Sequence, residues 1–190
     1  AKGLVLQAGN DLATKVSSSY RALEAQWSNV RSQAGAAVQT VNAAATQVAA
    51  YNTTIRSTLA AGGSANELID ARAKLTETIT RLTGGTVREQ NDGTVDFHVG
   101  GNPLVMGSSV RALALSGSPT ADKLGTSVQL EWTDRPGVGI ADITGEIAGS
   151  LSVLAPAARG GAIASAGDSF NQFASKIGDA INALHSGAST

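Results

Sequence analysis

The sequence predicts an α+β fold: a long-helix, coiled-coil-like antiparallel bundle with an attached small antiparallel β lobe. Three observations predict it. Apolar or small residues at Val16, Tyr20, Leu23, Trp27, Val30, Ala34, Ala37, Val41, Ala44, Val48, Tyr51 and Ile55 step by four and three without a break, the spacing of a helix that keeps one stripe against a partner. From Thr86 to about Ile143 a period of two takes over. The helical spacing then returns at Phe170, Phe173, Ile177, Ala180 or Ile181, and Leu184.

A first helix from about Asn10 to Ala60 would be roughly 75 Å long at 1.5 Å per residue, so its seam must be covered by other segments or chains. Tyr20, Leu23, Trp27 and Val30 crowd its first half, whereas Ala34, Ala37 and Ala44 thin the middle. Gly35 costs about 1 kcal/mol there relative to alanine. The stripe reads as bundle core rather than as a ligand groove. Gly62-Gly63 breaks the helix, and Ser64-Ala65-Asn66-Glu67 fits a capping box in which Ser64 caps and Glu67 reaches back. A second helix follows with Leu68, Ala71 or Arg72 (through its stem), Leu75, Ile79 and Leu82 on one face, and Gly84-Gly85 closes it. The short loop predicts an antiparallel hairpin over the last third of the first helix.

Thr86 to Gln90 and Thr94 to Val99 flank Asn91-Asp92-Gly93, a hairpin loop with glycine where a positive φ is needed. Val95, Phe97 and Val99 are expected on one face, with Thr94, Asp96 and His98 on the other. Leu104 to Met106, Val110 to Leu115 and Val128 to Trp132 continue the alternation, the last with Gln129 and Glu131 on the polar side. The expectation is one small antiparallel sheet with a solvated face, and Ile140 to Ile143 as its last strand. Ile147 to Ala158 holds a short helix interrupted by Pro156, Arg159-Gly160-Gly161 is a hinge, and a terminal helix ends at Ser186-Gly187. Its expected berth is the aromatic first half of the long helix. The domain reading is 1–85 for the long helix and hairpin helix, 86–145 for the β lobe, and 146–190 for the linker and returning helix.

Composition narrows the function classes. A net charge of -1 over 190 residues, with Lys and Arg scattered, gives no footprint for nucleic acid or an anionic membrane. The absence of cysteine removes disulfide and thiolate chemistry. Aromatics make up 4% of the chain, so thin helix-to-helix seams must supply much of the burial. The opening Ala1-Lys2-Gly3-Leu4-Val5-Leu6 has no signal-peptide pattern, and no window of about 18 apolar residues predicts a membrane span. The chain begins and ends inside periodic segments, which reads as a fragment.

No catalytic, cofactor-binding or metal-ligating residue is assigned, and no cofactor is expected. His98 and His185 are far apart in sequence without ligand-like neighbours, and His98 is expected to be solvated. Gly137-Val138-Gly139 lacks the strand-turn-helix context of a dinucleotide fingerprint and has Asp142 where a third glycine would fall. Gly167-Asp168-Ser169-Phe170 superficially resembles a hydrolase nucleophile block without its elbow, and Asp168 or Ser169 reads as a helix cap. Asp142 and Glu146, four apart, carry no second signal of acid-base work. Asn52-Thr53-Thr54 is a sequon inside the long helix and reads as chance. The expectation is therefore not an enzyme.

Asn66-Glu67-Leu68-Ile69-Asp70-Ala71-Arg72 with Leu75, then Val87-Arg88-Glu89-Gln90-Asn91-Asp92-Gly93-Thr94-Val95, then Gly100-Gly101-Asn102-Pro103-Leu104-Val105 come in an order that resembles one family. It is similar to the flagellar hook-associated protein 1 (FlgK) family of hook-filament junction proteins, and the ending Ile181-Asn182-Ala183-Leu184-His185 also looks like that family's. The match is specific between about Asn66 and Gly107, looser over the long helix, and weak from Gly117 to Gly167. The resemblance implies a structural axial protein of the bacterial flagellum, extracellular and exported without a cleaved signal peptide. It implies as partners the hook protein, other hook-associated proteins and copies of itself in the assembled junction, with this fragment monomeric in isolation and no nucleic acid or membrane. The alternative class is an extracellular stalk, or an adhesin or phage-tail-like binding module.

Overall fold

A computed structural model describes residues 2–187 except 119, 122, 123 and 125, and gives only the helical backbone for 2–6 and 184–187. The leader reading at Ala1 to Leu6 and the side chains of Leu184 and His185 lie outside the described residues. The fold is α+β, as predicted, with a long helix, further helices and small antiparallel sheets. The first helix, α1, spans Lys2–Ala60 and runs through Gly35 without interruption. The chain divides into two compact units, one of Arg31–Gly117 and Val128–Leu151, the other of Ala1–Val30, Ser118–Ser127 and Ser152–Thr190.

In the first of these units α1 buries the predicted Ala34, Val41, Ala44, Val48 and Ile55, and in addition Val38, Ala45, Ala49 and Asn52. The buried stripe is wider than one heptad seam because helix and strands both pack on it. α1 ends in a Schellman turn: Gly62 has φ 77, its N–H bonds to Leu59 O at 2.9 Å, and Gly63 N–H bonds to Thr58 O at 2.9 Å. α2, Asn66–Thr83, then folds back. The capping box does not form. Ala65 occupies the cap position without a side-chain bond, and Ser64 is exposed. Burial of the Ala65 methyl fixes the entry angle instead, while its carbonyl accepts the Ile69 N–H at 3.0 Å. Gly84, with φ 67, closes α2 through its N–H to Thr80 O.

Strands β1 Thr86–Glu89, β2 Val95–Val99, β3 Asn102–Met106 and β4 Ser109–Val110 form one antiparallel sheet in that order. The hairpin loop is as predicted: Gln90 N–H bonds to Thr94 O at 2.9 Å, and Gly93 has φ 81. Val95, Phe97 and Val99 face the core. The single sheet is not what forms, because β5 Leu113–Leu115 and β6 Leu130–Trp132 make a separate pair. The predicted run Val110 to Leu115 is split at Arg111-Ala112, whose guanidinium lies 4.3 Å from the Trp132 ring centre and bonds twice to Asp134. Glu131, expected on a polar face, is buried, because it accepts the N–H of Gly137 at 2.8 Å. Ile140 to Ile143 is not a strand. Gly139 makes one bridge to Glu131, Ile140 N–H bonds to Leu130 O at 2.8 Å, and Asp142 at φ 54 turns the chain away. The strand residues have no core of their own: Val95, Phe97, Val99, Leu104, Val105, Leu113, Leu130 and Trp132 share one cluster with Val41, Val48, Ile79 and Leu82 of the helices.

α3, Gly145–Leu154, stops before Pro156, and a single 3-10 turn at Ala157–Arg159 follows. In the other unit α4, Ala162–Gly187, lies beside the first half of α1, as expected, and Gly9 approaches Ile181 across that contact. α4 starts earlier than predicted because Ile163 and Ala164, both buried, extend its apolar face toward the N-terminus. Trp27 is fully buried. Phe173, expected in the seam, is 48% exposed. The face toward α1 runs instead through Ala174, Ile177, Gly178 and Ile181, and Phe173 falls to one side of it at helical spacing.

Candidate functional site

The most highly specified polar arrangement is a buried node under the β1–β2 hairpin. Asn52 projects from α1 one position beside the predicted seam and is 0% exposed. Its Nδ2 donates to Val95 O and to Gly107 O, each at 2.7 Å. Its Oδ1 accepts the Val95 N–H at 3.0 Å and Arg72 Nη1 at 2.9 Å. That uses two donors and both lone pairs of the amide, so the side chain is saturated. Arg72, 6% exposed, also donates to Gly93 O at 2.7 Å. Burial pulls its guanidinium below the ordinary value, opposed by the field of Glu89.

Ten residues earlier on α1 the same device recurs. Asn42 Nδ2 donates to Leu113 O and Asn42 Oδ1 accepts the Leu113 N–H, both at 2.9 Å. Each asparagine acts as a partner strand one residue long, and together they set both sheets on one helix. Above the node Asp92 Oδ1 accepts the Thr94 N–H at 3.0 Å and Thr94 Oγ1 at 2.7 Å. Those two bonds hold its carboxyl below the usual range, with Arg56 adding to the effect. Asp96 ties the next turn through Gly107 N–H at 2.9 Å. The node positions surfaces and contains no nucleophile-base pair.

The outward faces are of two kinds. Beside the node, β1 is exposed along its whole length, and Val87, Met106, Val110 and Val138 are large apolar side chains at the surface. In the other unit an open groove of about 600 Å³ runs between α1 and α4. Leu12, Val16 and Tyr20 line one wall, Ile177 and Ile181 the other, with Arg21 and Glu24 at the rim. Such a stripe is the ordinary form of a helix-packing surface.

The residues weighed for chemistry are not brought together. His98 is half-buried rather than solvated, because β1 and β3 flank it, and its Nδ1 is buried without a hydrogen-bond partner. Gly137-Val138-Gly139 forms a turn on the Glu131 carboxylate with Val138 outward. Asp168 and Ser169 are not caps. They sit inside α4, where Ser169 Oγ donates back to Ser165 O at 2.9 Å, and Gly167 gives room for Leu124 and Tyr20. Asp142 lies in a turn while Glu146 pairs with Arg81. Among the described residues no group of three or more His, Asp or Glu could hold a metal ion, and no helix is long and apolar enough to cross a membrane. Sequence reasoning missed Asn52 and Asn42. The available signal was a polar amide recurring beside an alanine-rich seam. The sequon reading of Asn52 as chance agrees with an amide nitrogen already engaged in two bonds.

Residues 1–190 match the family model described as the flagellar hook-associated protein FlgK helical domain. The chain belongs to that family. The FlgK motifs quoted above therefore acquire a geometry: Arg72 of the helix motif and Gly93 of the hairpin motif meet at Asn52. Among solved structures the chain is similar to the flagellar hook junction protein FlgK from Burkholderia pseudomallei, with a TM-score of 0.59 and 23% identity. That match covers 75% of this chain and 26% of the other, so this FlgK helical-domain chain spans about a quarter of the neighbour's length. No curated protein matches the sequence.

Proposed function

We propose that the chain is a structural axial element of the bacterial flagellum that helps to join hook and filament, and that it is not an enzyme. The observation that carries this reading is the family match across all 190 residues. The geometry supports it. The buried Asn52 amide and Arg72 guanidinium are consumed in fixing strands to helices, and the surface offers partners an exposed sheet edge, apolar side chains and a helix groove. A surface-acting protein needs its faces held at fixed spacing, and the buried, saturated amide of Asn52 supplies that rigidity.

The partners in this reading are the hook protein, other hook-associated proteins and further copies of the same chain, outside the cell, after export without a cleaved signal peptide. Segments 1–85, 86–145 and 146–190 would contribute the rod, the β surface and the returning helix. The test is to add the purified protein carrying this chain to isolated hooks and to image them by electron microscopy. New density confined to the distal tip of the hook is expected. Binding along the hook sides, or none, counts against a junction role and in favour of a stalk or adhesin.

A further inference from the structure

The sequence holds one Asp-Gly dipeptide, Asp92-Gly93, and no Asn-Gly. An aspartate followed by glycine is chemically vulnerable, because no side chain on the second residue shields its backbone nitrogen. This one sits in the exposed loop of the β1–β2 hairpin, directly over the node. We propose that Asp92 is a latent isoaspartate site, and that the native hairpin suppresses the reaction by holding the Asp92 carboxylate on Thr94 and the Gly93 N–H on Gln90.

The reaction is balanced with water alone. The Gly93 nitrogen attacks Asp92 Cγ, its proton passes to solvent, and the Cγ hydroxyl leaves as water, giving a five-membered imide. Water then opens the ring at either carbonyl. Cleavage of the nitrogen bond to Cγ returns aspartate. Cleavage of the nitrogen bond to the Asp92 main-chain carbonyl leaves the chain running through Cγ, with one extra methylene in the backbone and no net change in mass.

Three features oppose the first step. Gly93 N–H is directed at Gln90 O, 3.1 Å away, rather than at the carboxyl carbon. Asp92 Oδ1 is held by two donors of Thr94, at 3.0 and 2.7 Å, which fixes the carboxyl plane. The same bonds favour the ionised carboxylate, whose oxygen is the poorer leaving group. The position also matters for the fold. Gly93 O accepts from the buried Arg72 guanidinium, and a Cβ at Gly93 would approach Leu59 Cδ1 to 2.4 Å. A backbone lengthened at residue 92 would pull that carbonyl off Arg72 and remove one of the two partners that Nη1 of the buried guanidinium has.

The test measures isoaspartate by enzymatic methyl transfer and locates it by peptide mapping after prolonged incubation at mildly acidic pH. The folded chain, the same chain held unfolded in urea, and folded Thr94→Val and Thr94→Ser are compared. Isoaspartate at residue 92 should accumulate many-fold faster in urea than in the folded chain. Thr94→Val, which loses the hydroxyl donor, should be several-fold faster than the parent, and Thr94→Ser, which keeps it, should match the parent. The separated isoaspartate form should unfold at lower denaturant. Equal rates in the folded and urea-unfolded chains would overturn the proposal, and so would a Thr94→Val rate equal to that of the parent. Should Thr94→Val not fold, the parent comparison with and without urea and the Thr94→Ser rate still decide it.

Discussion

At the scale of single residues, Asn52 and Arg72 carry more than their size suggests. Asn52→Ala removes four hydrogen bonds at once and takes that partner from the Val95 backbone, Gly107 O and an Arg72 guanidinium donor around a fully buried position. The expected loss is about 3 to 5 kcal/mol, the range for breaking a buried polar partnership that includes a charge, read as a shift of the urea midpoint. Nothing in the apolar pattern marked Asn52, since periodicity registers where hydrophobic residues fall and is blind to a polar residue that is satisfied inside. Arg72 was legible only as a stem. On the acid side Asp92 and Asp134 are both held below the ordinary 3.8, Asp92 chiefly by Thr94 and Asp134 chiefly by Arg111. A depressed folded-state value means that their contribution is present above 3.8 and is lost as pH falls through the lower folded values. NMR titration should therefore find Asp92 protonating below 3.8, and Thr94→Val should move it upward.

At the scale of elements, the helices were legible because a four-three spacing sustained from Val16 to Ile55 matches the helical repeat and no strand or loop period. Their ends were less so. A Schellman turn and the buried Ala65 fix the loop without the Ser64 box, and α4 starts ahead of its visible spacing because Ile163-Ala164 is too short a run to declare a face by itself. The assignment of Phe173 to the seam erred by one step around the helix. Phe173→Ser should consequently change stability by less than about 0.5 kcal/mol, whereas Trp27→Ala, at a fully buried site, should cost about 3 to 5 kcal/mol. Paired denaturant curves check the contrast. The strands were legible as alternation, and their grouping was not. The chain passes from one sheet to the next at Arg111-Ala112, and each sheet is held on α1 by an asparagine that belongs to no strand.

At the scale of the molecule, the family was legible in the order of three short motifs, at 66–75, 87–95 and 100–105. The groove between α1 and α4 belongs to two helices already paired, and among the described residues the exposed large apolar side chains of the hairpin region are few. Surfaces of that kind support weak contacts, not an obligate interface. The isolated chain is therefore expected to sediment as a monomer at micromolar concentration. A stable dimer or trimer would move the reading toward a self-associating stalk, whose heptads are satisfied between chains.

The bonds of the asparagine device are nested along the chain, and the nesting bears on the order of folding. Arg72 reaches Asn52 across 20 residues and Gly93 across 21, Asn52 reaches Val95 across 43, and Asn42 reaches Leu113 across 71. Taken as independent closures, the last two differ by only roughly 0.4 kcal/mol of loop entropy. Once the inner pairs are made, however, each outer pair closes a much shorter free segment, so the chain can zip outward from the hairpin. Contacts of low sequence separation close at lower entropic cost and favour fast folding. Asn52→Ala should then mainly slow refolding and Asn42→Ala mainly speed unfolding, a split that stopped-flow chevrons of the two variants would read directly.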